Sequence, residues 1–212
     1  MSLIIESLVF SYENTGNKII NDFSAEFSGD RITALTGRNG VGKTTLSRLI
    51  MGILEPQSGE IILDGENMKD KTLAERGRLI GYVMQNPARQ IFSSSVEEEI
   101  DYGLKNLGLS QEEREKRTTQ YLEYFGMESY RKSFPFLLSH GEKQRLVLAA
   151  ILAMKPKYLI LDEPTASLDL KRRAFLGEHL KGLDCGVIII SHDAEFIRTY
   201  CDEVVAMEKV YE

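Results

Sequence analysis

Apolar and polar residues alternate over short distances in the first 84 residues, a pattern typical of strands with one buried face. The predicted strands of this part are residues 3–10, 18–27, 60–64 and 79–84. The first two are joined by the polar turn ENTGN, which predicts an antiparallel start to the fold. The stretch RITALTG then leads into a glycine-rich turn and a predicted helix, KTTLSRLIMGIL at 43–54, which Pro56 ends.

The period changes to that of helices between about residues 96 and 154. The predicted helices of this part are VEEEIDYGLKNLG, SQEEREKRTTQYLEYFG and GEKQRLVLAAILAM. The strand pattern returns at 158–162 (YLILD) and 186–190 (GVIII), separated by the helical segment LKRRAFLGEHLKGL. Such near-continuous apolar runs are what parallel strands covered on both faces require. The pattern therefore predicts an α/β sheet core interrupted by a helical insert.

The start of the third of these helices, in the stretch LLSHGEKQRL, has a specific chemistry. Ser139 is a predicted N-cap, and Glu142 three residues later completes a capping box. Backbone N–H groups at a helix start, together with a small hydroxyl, form an anion site. The chain contains a second and stronger predicted phosphate site about a hundred residues upstream, so two sites need one explanation.

Composition limits the classes of function. A chain of 212 residues with 42% hydrophobic and 27% charged residues fits one globular domain with an inserted subdomain. The net charge of −6 argues against nucleic acid as a partner, because phosphate-backbone binding depends on dense Lys and Arg. The apolar N-terminal stretch contains Glu6 and lacks a basic region, which favours a strand over a signal peptide. We expect a cytoplasmic protein that reaches a membrane only through a partner.

The segment GRNGVGKT, residues 37–44, matches G-x-x-x-x-G-K-[ST] and lies between a predicted strand and a predicted helix, as this motif requires. Its glycines let the backbone curl so that N–H groups face phosphate oxygens, and Lys43 reaches the β and γ phosphates. Thr44 is placed to ligate Mg²⁺ and Thr45 to hydrogen-bond the α phosphate. The motif predicts nucleotide binding.

The segment YLILDE supplies two carboxylates at the end of a buried strand. Asp162 is predicted to bind Mg²⁺ through water, and Glu163 to orient an attacking water or accept its proton. A strand that meets a solvated turn would explain an isolated DE pair equally well. The glycine-rich loop makes the catalytic interpretation the stronger one.

The order of motifs resembles that of the ATPase subunit of ABC transporters, from Tyr12 to about Met207. GRNGVGKT is followed by Gln85, LSHGE, LILDE, ASLD and the SH pair at 191–192. An unrelated phosphate-loop kinase or GTPase needs neither LSHGE nor a histidine at that position. The resemblance implies a P-loop NTPase (RecA-like) sheet core with an N-terminal antiparallel β subdomain and an inserted α-helical subdomain. Residues 1–84 and 157–212 would form the nucleotide-binding core, and residues 85–156 the glutamine loop and helical signature subdomain.

The resemblance also assigns roles to single residues. Gln85 would sense Mg²⁺ and the attacking water, and His192 would contact the γ phosphate and hold water in line with Glu163. These two residues and Glu163 are the predicted catalytic set, and Thr44, Gln85 and Asp162 the predicted metal set. The predicted nucleotide-binding residues are Tyr12, Gly37, Arg38, Asn39, Gly40, Val41, Gly42, Lys43, Thr44, Thr45, Ser139, Gly141 and Asp169.

Among these residues, Tyr12 resembles the aromatic that stacks on adenine, although a strand-end tyrosine with no such role is also open. Asp169 resembles a loop residue that crosses to a partner subunit. The signature motif LSHGE would present the Ser139 hydroxyl and the Gly141 N–H to the γ phosphate of a nucleotide held by another subunit. Two phosphate sites on one chain therefore imply a head-to-tail dimer that sandwiches two ATP molecules.

The stretch QNPARQIFSSSVEEEIDYG resembles the ATPases of energy-coupling factor (ECF) importers, which take up vitamins or transition-metal ions. In that group the segment forms a groove for coupling helices of the membrane subunit, here near Gln85, Gln90 and Phe92. Gln90 and Phe92 could instead cap and pack a helix. An importer ATPase of the amino-acid or metal-chelate class also stays open, and a soluble ABC ATPase is disfavoured because the sequence shows no long coiled-coil insert or basic surface.

The signature departs from the usual pattern at two positions. His140 replaces a glycine and Glu142 stands where glutamine is common, and we expect activity to survive both. Many relatives continue beyond the predicted strand EVVAM with a hairpin and a helical extension, whereas this chain ends at Glu212. A truncated chain or one half of a tandem protein is therefore open.

Overall fold

The computed structural model describes residues 1–13, 18–166 and 168–208. Most of the predicted turn ENTGN, and Ser167 of ASLD, lie outside the described residues. The strands are β1 (Ser2–Phe10), β2 (Ile20–Ser28), β3 (Ile32–Thr36), β4 (Ser58–Leu63), β5 (Glu66–Asn67), β6 (Ile80–Val83), β7 (Tyr158–Asp162), β8 (Gly186–Ile190) and β9 (Glu203–Ala206). The α-helices are α1 (Lys43–Ile50), α2 (Leu73–Leu79), α3 (Val96–Asn106), α4 (Gln111–Tyr124), α5 (His140–Ala153), α6 (Leu170–Lys181) and α7 (Ala194–Tyr200).

The N-terminal strands form the predicted antiparallel pair. Over the described ranges, the first sheet has the order β2-β1-β4-β5, and Leu3 of β1 lies opposite Phe27 on one side and Leu63 on the other. These three side chains are fully or almost fully buried. Because strand side chains alternate between faces, this register directs one apolar face of the sheet into the core.

The second sheet, the central sheet, positions the candidate site residues. Its order in the described part of the chain is β6-β7-β8-β3-β9, and β3, β7, β8 and β9 pair in parallel. Every residue of β7 and β8 is buried. Their continuous apolar runs predicted parallel strands covered on both faces, and this prediction is confirmed.

Helix α1 ends at Ile50, four residues earlier than the sequence predicts. Gly52 adopts φ 75°, and the N–H groups of Ile53 and Leu54 both return to the carbonyl of Arg48. A residue with positive φ just past the last turn is the usual way in which a helix ends. Met51 and Leu54 still pack against the core, so the apolar pattern continues past the true end of the helix.

Two compact units make up the chain: Met1–Tyr82 with Lys157–Glu212, and Val83–Pro156. The first contains both sheets except Val83, the last residue of β6. In the second, Gly103 allows α3 to lie close to α5, since a Cβ there would stand 2.7 Å from the Met154 sulfur. The assignment of these units to a nucleotide-binding core and a signature subdomain stays a prediction. No helix in the described ranges is both long and apolar enough to cross a bilayer.

Candidate functional site

Three neighbouring strands of the central sheet bring the candidate chemistry to one edge. In the order β7-β8-β3, the strands are followed by the carboxylates, by His192 and by the glycine-rich loop, respectively. The carboxyl ends of parallel strands share one edge of a sheet, and ligands of open α/β sheets bind there. The sequence motifs therefore converge because of strand order and not because of sequence proximity.

The glycine-rich loop depends on backbone conformations that L side chains rarely adopt. Gly37 has φ 144°, and a Cβ there would stand 2.4 Å from the carbonyl oxygen of Met207. Gly42, the N-cap of α1, has φ 114°. Between them the tip of the loop, residues 38–40, is exposed, whereas Val41 is buried and anchors it. The N–H groups of the first turn of α1 then have no carbonyl partner within the helix, as an anion site requires.

Lys43, the first residue of α1, is buried and turned back over the loop. Its Nζ donates to the carbonyl of Gly37 at 2.7 Å and to that of Arg38 at 3.2 Å, and lies 3.2 Å from His192 Nε2. Burial lowers the pKa of the Lys43 ammonium, while the nearby Glu163 and Asp162 oppose this shift. The ammonium thus occupies the centre of the loop.

Asp162, the last residue of β7, is buried and receives two hydroxyl groups. The Thr44 hydroxyl donates to Asp162 Oδ2 at 3.1 Å, and the Tyr82 hydroxyl donates to the same oxygen at 3.1 Å. Burial, followed by the charge of Asp162, raises the pKa of Tyr82 well above its usual range. Tyr82 therefore remains a hydrogen-bond donor at neutral pH.

Glu163 has an unusual backbone for a non-glycine residue, with φ 49°. Its N–H donates to the carbonyl of Ile190 at 2.8 Å, which ties it to the end of β8. This places its Oε1 3.4 Å from His192 Nε2. His192 Nε2 thus lies between Lys43 Nζ and the Glu163 carboxylate.

Tyr12 and Thr45 contact each other at the same end of the first unit. The Tyr12 hydroxyl lies 3.1 Å from Thr45 Oγ1, and its ring meets Phe10 edge to face with centroids 4.9 Å apart. Both residues also have predicted roles toward a nucleotide.

Asp169 is the N-cap of α6, and its Oδ1 accepts a hydrogen bond from the Arg172 N–H at 2.9 Å.

The predicted signature residues lie in the second unit, at the start of α5. The capping box is confirmed, since the Ser139 N–H donates to Glu142 Oε2 at 2.7 Å and the Glu142 N–H donates to Ser139 Oγ at 3.4 Å. The Tyr130 hydroxyl donates to Glu142 Oε1 at 2.7 Å. Hydrogen bonds from Ser139 and Tyr130 lower the pKa of Glu142 to about 2. His140 is the first helical residue and is exposed.

The predicted groove residues also lie in the second unit. Gln85 is exposed, and Gln90 Oε1 accepts from the Met84 N–H at 2.7 Å. Phe92 is 60% exposed and meets Tyr102 edge to face at 4.7 Å. Buried Glu99 accepts from the N–H groups of Phe92 and Ser93 at 3.1 and 2.8 Å, so it fixes the backbone that presents Phe92.

The structure therefore brings the loop, both carboxylates and His192 together within the first unit. The residues of the predicted signature and glutamine loop lie in the second unit. Two supporting residues were not predicted: Tyr82, which contacts Asp162, and Glu99, which accepts from the backbone at Phe92. The signal for Tyr82 was nonlocal, because its contact with Asp162 depends on β6 lying beside β7.

Comparisons with known proteins show the family of this chain. Residues 20–166 match the family described as ABC transporter. The chain is 41% identical over 203 residues to an ABC transporter ATP-binding protein of Pyrococcus abyssi, covering 94% of this chain and 78% of that protein. It is 38% identical over 218 residues to the energy-coupling factor transporter ATP-binding protein EcfA2 of Clostridium perfringens, covering 98% and 76%.

A solved structure is similar over almost the whole chain. It is cbiO1 from Clostridium perfringens, described as part of the ABC transporter complex cbiONQ. The TM-score is 0.89 at 33% sequence identity, and the match covers 99% of this chain and 86% of that one.

Proposed function

Since this chain belongs to the ABC transporter family as an ATP-binding subunit and ATPase, we propose that it powers an importer of the ECF type. Its similarity to EcfA2 and to cbiO1 supports the subclass. The observation that carries the catalytic part is the convergence of Lys43, Asp162, Glu163 and His192 at one edge of the central sheet.

The residues at this edge fit a nucleotide with Mg²⁺. Thr44 and Asp162 are already in contact, and Mg²⁺ is usually held by one or two protein ligands together with substrate phosphates and water. Within the described ranges, no group of three or more His, Cys, Asp or Glu could hold a metal ion by itself. When bound, Mg²⁺ would neutralise charge that develops on the β and γ phosphates.

The other roles belong to the chain itself. Lys43 would exchange the carbonyls of Gly37 and Arg38 for phosphate oxygens, a stronger charge-assisted contact. His192 Nε2 would then be released from Lys43 and could donate or accept toward the reacting end of the nucleotide. Glu163, held by its backbone to β8, would orient water and accept its proton. Tyr12 would lie against the adenine ring.

The second phosphate site supports a partner subunit of the same kind. Ser139 and Gly141 would present a hydroxyl and an N–H to a nucleotide held by that partner, and Asp169 would lie near the shared face. The second subunit could be an identical or a related chain. ATP would join the two faces and hydrolysis would release them. The bound nucleotide would therefore control whether the dimer is closed or open.

The exposed pair of Phe92 and Tyr102, supported by Glu99, suits a membrane subunit with cytoplasmic helices. Apolar and aromatic side chains on a surface are typical anchors for an amphipathic helix. Association at the cytoplasmic face of the membrane would follow from this contact.

The Glu163→Gln substitution tests the catalytic proposal. It keeps the side-chain volume but removes the base, so we expect ATP hydrolysis to fall by at least about 100-fold. ATP binding should persist, and a dimer with bound ATP should accumulate on size-exclusion chromatography. Glu112→Gln, an exposed change on the first turn of α4, is the matched control and should retain normal turnover. Unchanged turnover in Glu163→Gln would refute the assigned role.

A further inference from the structure

Tyr82 has a contact with the candidate metal site that no motif accounts for. It is the third residue of β6, next to β7, and its hydroxyl donates to Asp162 Oδ2 at 3.1 Å. Thr44 donates to the same oxygen at 3.1 Å from the opposite element, helix α1. One carboxylate oxygen can accept both bonds. Asp162 is therefore held from two sides.

The position of the Tyr82 hydroxyl is fixed by packing. Its ring is partly buried and packs against the apolar core that contains Leu46, Leu49 and Ile160. A tyrosine ring has few rotatable bonds, so a packed ring leaves its hydroxyl little freedom. The hydrogen bond to Asp162 thus has a small entropic cost, unlike one from a long flexible side chain.

Both donors are neutral and both contact Oδ2. They set the orientation of the carboxylate without cancelling its charge, which a lysine or arginine in the same place would do. While the Thr44 hydroxyl donates its proton in a hydrogen bond to Asp162, its oxygen keeps a lone pair that could bind a cation. Hydrogen-bond partners that fix the orientation of a metal ligand in this way prepare it for binding the ion.

We infer that Tyr82 is a positioning residue for the metal-bound nucleotide: it orients the Asp162 carboxylate before Mg²⁺ and ATP bind. This inference rests on the proposed function of Asp162 and Thr44. It predicts that loss of the Tyr82 hydroxyl weakens metal binding specifically, because the nucleotide contacts of the glycine-rich loop do not involve Tyr82.

The test compares metal and nucleotide affinity in the whole purified chain. Mn²⁺ serves as a spectroscopic probe for Mg²⁺, measured by electron paramagnetic resonance with saturating AMP-PNP, a non-hydrolysable ATP analogue. In Tyr82→Phe we expect the Mn²⁺ Kd to rise about tenfold, in line with one hydrogen bond to a charged group. Binding of AMP-PNP in EDTA should change less than about twofold. Half-saturation of ATPase activity should shift to about tenfold higher free Mg²⁺, with kcat recovering at excess Mg²⁺.

Tyr158→Phe is the matched control. Its hydroxyl donates to the Phe27 carbonyl at 2.8 Å from the other end of β7, buried and away from the site. This variant should melt at a lower temperature yet keep the Mn²⁺ affinity of the natural chain. Tyr82→Leu, a second variant without a donor, should reproduce the Mn²⁺ loss of Tyr82→Phe.

Two outcomes overturn the inference. One is an unchanged Mn²⁺ affinity in Tyr82→Phe, and the other is an equal loss of AMP-PNP binding in EDTA. Asp162→Asn separates these from failure of the proposed function. If Asp162→Asn weakens Mn²⁺ binding and Tyr82→Phe does not, only the inference about Tyr82 fails. If neither change matters, the metal role of Asp162 fails as well.

Discussion

At the scale of single residues, the start of α5 contains a carboxylate whose ionised form is strongly favoured. Glu142 receives the Ser139 N–H and the Tyr130 hydroxyl on its two carboxylate oxygens. These bonds favour the ionised form and hold the carboxylate beside the first turn of α5, where the helix dipole also favours it. The charge is therefore part of the helix start itself.

This leads to a prediction for acid stability. The folded-state pKa of Glu142 is about 2 and its ordinary value is 4.5. Because the folded pKa is the lower one, its contribution to stability is complete above pH 4.5 and disappears as the pH falls toward 2. Glu142→Gln should lower the free energy of unfolding by about 1 kcal/mol at pH 7, a usual cost for a weakened helix cap. The difference from the natural chain should shrink steadily between pH 4.5 and 2.

Denaturant titrations at several pH values measure this difference. Glu112→Gln is the control, since Glu112 is also in the first turn of a 14-residue helix but is exposed. Its effect on the free energy of unfolding at pH 7 should be the smaller of the two. A Glu142→Gln effect that is independent of pH between 4.5 and 2 would contradict the prediction.

At the scale of elements, the loop after β3 depends on the end of the chain's last described strand. Gly37 packs so closely that a Cβ would stand 2.4 Å from the carbonyl oxygen of Met207, just after β9. The loop shape is therefore set by a neighbour more than 150 residues away in sequence, in addition to its own glycines. A backbone atom cannot move aside as easily as the end of a flexible side chain.

Gly37→Ala should therefore destabilise the protein more than an alanine at another glycine with positive φ. Gly65, with φ 82° and no atom within 4 Å of a built Cβ, is the matched control. We expect a loss of about 3 kcal/mol for Gly37→Ala and about 1 kcal/mol for Gly65→Ala. Thermal melting should show this as a drop of roughly 6–12 °C against 2–4 °C. Equal losses would show that the φ angle alone determines the loss of stability and that the contact to Met207 adds nothing.

The same scale explains what could be predicted from the sequence. Strands β7 and β8 were predicted because full burial leaves an uninterrupted apolar signal. Helices α2 and α7 were not, because α2 buries no residue and α7 buries only Phe196, so neither shows a helical period. Lys43, Asp162 and His192 belong to local motifs. The role of Tyr82 depends on strand order, which no local pattern encodes.

At the scale of the whole molecule, the function depends on surfaces that this chain presents to others. Three residues were predicted to lie near the membrane-subunit groove. Gln85 is exposed and Phe92 is 60% exposed, whereas Gln90 uses its side-chain oxygen on the Met84 N–H. A Gln90 substitution would disturb the local backbone as well as any partner contact. Phe92 is therefore the cleaner probe of the groove.

Phe92→Ala should weaken capture of a membrane subunit that carries a cytoplasmic helical hairpin by at least about tenfold, as loss of an aromatic anchor usually does. ATPase activity of the isolated chain should be unaffected. Phe175→Ala, on α6 and 41% exposed, is a matched control that removes an equal ring elsewhere. Co-purification in detergent with quantified subunit ratios measures the effect. Equal capture by Phe92→Ala and the natural chain would exclude this groove.

The central sheet is assembled from distant parts of the chain, and this has a consequence during synthesis. Strand β3 ends at Thr36, yet its neighbour β8 begins only at Gly186. At the usual pace of translation, roughly 10–30 s separate the appearance of these two strands. The antiparallel sheet can pair early, since its strands are complete by Asn67. A nascent chain on the ribosome would therefore hold the phosphate loop long before the strands that complete its site, and nucleotide capture would report the last step of folding.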